Sequence, residues 1–239
     1  MNLVVFAALF LPVVLSGLSV FLFKTGERTL KLILAFGGAF LLSLSCIELI
    51  PEIYKSPLSD KIGLYILAGF FIQLFLDFLT KGVEHGHHDP HSHQHHFNPY
   101  GIIIGICIHS FLEGMPLAEN YAEPELKNTL LTGIVIHNIP ISIVLVSLLM
   151  TSGIKRYWTV FLLLIFALSA PLGTITSYVI GTGIENISDY FSIILAIVVG
   201  IFLHISTTIL FETDEQHHFN LYKFIAIILG ACVSVILLY

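Results

Sequence analysis

Two short polar motifs interrupt apolar stretches of this chain: His109-Ser110-Phe111-Leu112-Glu113-Gly114 and His137-Asn138-Ile139-Pro140. Imidazole nitrogen and carboxylate oxygen are ligands for divalent transition metals. His109 and Glu113 are four residues apart, so on a helix they share one face with Cβ atoms about 5–6 Å apart, a gap one metal ion bridges. His137 and Asn138 follow on the next apolar run. Pro116 and Pro140 each stand three residues after a ligand position. A proline inside a helix displaces the carbonyl four residues earlier, here those of Leu112 and Ile136, beside the ligands. Irregular backbone at membrane depth is tolerated where it lines a site, and discontinuous helices build ion sites in transporters.

The elements that must position these residues are membrane-spanning helices. Of the 239 residues 56% are hydrophobic and only 11% charged, with a mean hydropathy of +0.93. This excludes an ordinary soluble domain. Eight apolar runs, roughly 3–23, 31–50, 62–80, 100–120, 128–150, 157–181, 189–211 and 220–239, approach the length that crosses a hydrocarbon core of about 30 Å. Little chain separates them, so residues 1–239 form one transmembrane domain, an all-α polytopic bundle. The first run has no basic residue before it and no small-residue cleavage pattern, and reads as a span rather than a removable leader. Cys46, Cys107 and Cys232 all fall inside spans and read as small apolar residues, not a disulfide framework. A lone intramembrane histidine or proline kink is ordinary structure. Glu113 is not, because a carboxylate at a helix centre costs about 2.5 kcal/mol or more uncompensated. The joint pattern points to a divalent-metal path.

Charge orients the chain. With the N-terminus outside, the inner loops hold seven positive charges (Lys24, Arg28, Lys31, Lys81, Lys155, Arg156, Lys223) and the outer loops three (Lys55, Lys61, Lys127). The positive-inside rule therefore favours both termini outside. Glu52, Asp60, Glu123, Glu125, Glu185 and Asp189 then form an acidic outer surface that concentrates cations. Residues 81–99 make a histidine-rich cytoplasmic loop holding seven of the twelve histidines, His85 through His96. Its polarity, proline and glycine argue for disorder, and its imidazoles for weak metal capture or sensing.

Other polar groups in the spans rank lower. Glu48 reads as a path ligand or a helix-end group, and His204, near Ser206, Thr207 and Thr208, as a path residue or an interhelical histidine. Asp77 and Glu119 lie near span ends. His217, His218, Glu212, Asp214 and Glu215 gather before the last span. An intramembrane metallohydrolase would use similar ligands, but the chain has no H-E-x-x-H and no G-x-S-x-G. A membrane metal sensor without net transport is the other reading.

On these motifs the chain resembles the ZIP (Zrt/Irt-like) family of divalent-metal transporters. His109, Ser110, Glu113 and Gly114 match its span-four signature, while His137, Asn138 and Pro140 match half of its span-five signature. Glu48-Leu49-Ile50-Pro51-Glu52 and Ala170-Pro171-Leu172-Gly173 echo two others. The resemblance implies a bundle of eight transmembrane helices with inverted repeats and a metal path between spans two, four, five and seven. It also implies uptake into the cytoplasm across a cell (inner or plasma) membrane. Ile141 and Ala170 stand where relatives with a two-metal centre carry glutamates. One site is therefore expected, made by His109, Glu113 and His137 and completed by Asn138, a freed carbonyl or water; Glu48 and His204 are further candidates along the path. Two imidazoles and one carboxylate suit Zn²⁺ as transported substrate, with Fe²⁺, Mn²⁺, Cd²⁺ and Co²⁺ as alternatives. No cofactor, enzymatic activity or nucleic acid is implied. The partners are the metal ion and the lipid bilayer, with a homodimer as a further option.

Overall fold

The computed structural model describes residues 3–23, 26–80, 99–118, 124–211 and 221–238. Eight long helices dominate them: α1 (Leu3–Ser19), α2 (Glu27–Leu44), α3 (Ser59–Thr80), α4 (Pro99–Gly114), α5 (Pro124–Thr151), α6 (Arg156–Gly181), α7 (Ile187–Phe211) and α8 (Leu221–Leu238). No strand occurs among the described residues, as expected where lipid cannot satisfy open backbone. Seven of the eight are long and apolar enough to cross a membrane, and α1 is a shorter apolar helix of 17 residues. The histidine-rich loop and the cluster Glu212–His218 lie outside the described residues, as do Glu119 and Glu123.

Helix starts depart from the apolar runs. The first turns of α2 and α5 take in Arg28, Glu125 and Lys127, because a charged first turn reaching water is still good helix. The two prolines near the ligands behave differently from each other. Pro116 ends α4, which stops at Gly114 and leaves through a 3₁₀ turn, Met115–Leu117. Pro140 breaks nothing: α5 is continuous over all of its 28 residues. A further irregularity sits at the end of α2, where a π-helical turn, Ser45–Leu49, carries Glu48 into a last turn, Ile50–Ile53. Such turns appear often at functional sites.

Packing divides the helices into two groups. In one, α4 lies along α6 and α1 along α5, with α1 also against α6; in the other, α3 lies along α7 and α2 along α8, with α2 also against α7. The groups meet chiefly where α2 touches α5 and α3 touches α4. At the closest crossings a glycine faces a carbonyl. A Cβ at Gly114 would collide with the Ala170 carbonyl and one at Gly173 with that of Phe111, locking α4 to α6 reciprocally. Gly69 against Ile197 and Gly200 against Ile66 lock α3 to α7 in the same way. Small residues are what let backbones approach this closely in membranes. Between α1 and α5 the Ser16 and Ser142 hydroxyls lie 2.6 Å apart. Most of α3 and α8 faces outward with apolar side chains such as Phe71, Phe75, Phe78, Ile228 and Ile236, a surface suited to lipid.

Candidate metal centre

The helical register of α4 puts His109 and Glu113 one above the other, both fully buried. His109 Nε2 stands 3.1 Å from Glu113 Oε1. From α5, His137 Nε2 approaches the same oxygen at 4.0 Å, and the two imidazoles meet edge to face with centroids 5.7 Å apart. Asn138 Nδ2 donates to the other carboxylate oxygen, Oε2, at 3.4 Å. The amide therefore holds one oxygen and leaves the other turned toward both imidazoles.

One ligand atom from each of His109, Glu113 and His137 lies within 4.8 Å of the other two, the one such group of three among the described residues. Tetrahedral Zn²⁺ with donors at about 2.0–2.1 Å needs donor separations of about 3.3 Å. The contacts of 3.1 and 4.0 Å bracket that value, so small side-chain rotations would close the site. Three such donors would leave a fourth position open, unlike the closed shell of a structural zinc site. Burial favours occupancy too, since a carboxylate at this depth calls for a compensating positive charge.

The surrounding backbone is fixed as well. Thr174 on α6 donates its hydroxyl to the Gly114 carbonyl at 2.8 Å and to the Ala170 carbonyl at 3.2 Å. The glycine after Glu113 and the Ala170–Gly173 stretch are thus two sides of one contact.

A match to the family model described as "ZIP Zinc transporter" covers residues 84–238, well over half of the chain. The chain belongs to the ZIP zinc transporter family. That family consists of transporters, not enzymes. Zinc transporter ZIP9-B of Xenopus laevis is 28% identical over 125 residues, 52% of this chain and 41% of the relative. Zinc transporter ZIP9 of Micropogonias undulatus is 28% identical over 113 residues, 46% of this chain and 36% of the relative. The aligned region spans less than half the length of these relatives.

Two other candidates of this ZIP chain stand apart from the three-ligand group. Glu48 lines a separate cavity of about 370 Å³ with Glu125, Asn128 and Thr129. His204 is buried on α7, edge-on to Phe70 at 4.8 Å. The Thr207 and Thr208 hydroxyls near it donate to carbonyls of their own helix, Leu203 and His204. One residue at the site was missed by sequence reasoning. Gln73 on α3 is fully buried, with Oε1 3.0 Å from His109 Nδ1. Its signal was a lone carboxamide deep in an apolar run.

Proposed function

We propose that this chain moves a divalent transition metal, zinc foremost, across a cell membrane into the cytoplasm, with both termini outside. The observation that carries the reading is the fully buried convergence of His109, Glu113 and His137 from two membrane-length helices. Family membership supports transport as the use of such a site, and the similarity to relatives named as zinc transporters supports zinc. The ion enters from the acidic outer side, where Glu48 and Glu125 face a common cavity, sheds water and binds the two imidazoles and Glu113, with Asn138 steadying the carboxylate. Movement of one helix group against the other then opens the inner side. Glu48 and His204 serve the path outside the central site. Proton and metal compete for the same lone pairs, so protonation of the ligands assists release. Loop 81–99 receives or senses the ion.

⁶⁵Zn²⁺ uptake into proteoliposomes tests this, comparing wild type, Glu113→Ala and a deletion of residues 85–96. Uptake lost in Glu113→Ala and retained in the deletion is the expected result. Wild-type vesicles that bind zinc without accumulating it would sink transport of zinc and favour a sensor.

A further inference from the structure

We infer that Gln73 is a positioning residue for the metal centre, accepting a hydrogen bond from His109 Nδ1–H and thereby committing Nε2 to the ion; the inference rests on the metal reading above. A neutral imidazole carries one N–H and one lone pair. Nε2 is the nitrogen that faces Glu113, at 3.1 Å, so when it ligates a metal the proton must sit on Nδ1. His109 is fully buried, and an N–H there without an acceptor would be strongly unfavourable. Gln73 Oε1 lies 3.0 Å from Nδ1.

Gln73 is rigidly mounted. It lies one helical turn after Gly69, whose backbone is pressed against the Ile197 carbonyl of α7. It also comes from the other helix group: the ligands stand on α4 and α5, and Gln73 on α3. The acceptor is an uncharged amide. A carboxylate in this place would raise the basicity of the imidazole and tighten the metal, whereas an amide fixes the tautomer and leaves the ion easier to release. That balance suits a cargo better than a resident ion.

Two measurements on the full-length protein in detergent test the inference. The first is Cd²⁺ affinity by competition with a chelator, for wild type, Gln73→Leu and Gln73→Glu, with His109→Ala as reference. Gln73→Leu is expected to weaken binding about 10–100-fold, as loss of such a partner typically does. Gln73→Glu, which keeps an acceptor, is expected to bind at least as tightly as wild type while slowing uptake per transporter. The second is ¹⁵N NMR of histidine-labelled wild type with ¹¹³Cd²⁺, the His109 signals being identified by their loss in His109→Ala. Cadmium coupling at Nε2 and a proton on Nδ1 are expected, and this readout stands even if Gln73→Leu does not fold. Coupling at Nδ1, wild-type affinity in Gln73→Leu, or equal weakening in both variants overturns the inference while leaving the metal site intact. Failure of wild type to bind Cd²⁺ and Zn²⁺ overturns the metal reading and the inference with it.

Discussion

Replacing Gly114 by alanine tests whether the packing behind the site governs the site. The backbone of Gly114 has φ −72° and ψ −23°, ordinary for any L-residue, so the penalty comes from space alone. The added Cβ meets the Ala170 backbone carbonyl, not the end of a flexible side chain. Relief therefore requires α4 and α6 to part by something on the order of 1 Å, and overpacking of this kind costs about 1–3 kcal/mol. With two backbones in collision the upper half of that range applies, a loss of roughly 4–12 °C in Tm for a chain of this size. The same movement shifts the neighbouring Glu113 relative to His137, 4.0 Å distant, and spoils the shared geometry, so zinc affinity is expected to fall about tenfold or more, on the scale of a lost supporting contact. The control is Gly63→Ala on α3, whose added Cβ has only Tyr54 Oη near it, at 3.9 Å. That substitution is expected to gain up to about 1 kcal/mol from helix propensity. Thermal unfolding in detergent and zinc competition read both quantities. If Gly114→Ala kept wild-type Tm and affinity, the close contact of α4 with α6 would be refuted as a determinant of the centre.

Three further outcomes are expected. Glu113→Gln keeps the shape of the side chain and removes its charge; zinc affinity should drop at least about 100-fold, more than a supporting partner costs, with Tm unchanged or raised, and near-wild-type binding would exclude Glu113 as a ligand. Because the ligands must shed protons to bind metal, apparent KM for zinc should rise as pH falls from 7.5 to 5.5, and a flat profile in uptake assays would argue that they do not hold the ion. Ser16→Ala should cost about 1 kcal/mol by removing the 2.6 Å hydroxyl contact to Ser142, with the same substitution in a Ser142→Ala background costing less; additive losses would mean that the two hydroxyls do not interact.

The convergence of the candidate ligands was legible in the sequence because their relation is local. An i, i+4 pair on a helix must share a face, and His137 and Asn138 follow on the next helix, so composition and spacing alone put all four at one depth. The all-α bundle was equally legible, since about twenty apolar residues leave the backbone little else to do in lipid. Gln73 was not, because its role depends on the register of α3 against α4, which no periodicity in either run encodes. Pro140 misled for a different reason. A proline removes one backbone donor without obliging the helix to end, and here α5 continues past it to Thr151. The pairing of α1 with α5 and α4 with α6 likewise leaves no trace in hydropathy.

The two helices that carry the ligands touch each other at few points, each being held instead by an outer partner, α4 by α6 and α5 by α1. The bite of the centre is therefore set like that of a caliper, by the spacing of its back arms. The two arms meet where α1 packs on α6, with Gly17 against the Leu163 side chain. Donor distances differ by about 0.3 Å or more between Zn²⁺ and Ca²⁺, so a small change in jaw width suffices to favour one ionic radius over another. If His109, Glu113 and His137 hold the ion, discrimination by size falls to residues that never touch it, and substitutions at Gly17 or Leu163 are expected to shift ion preference with all three still in place.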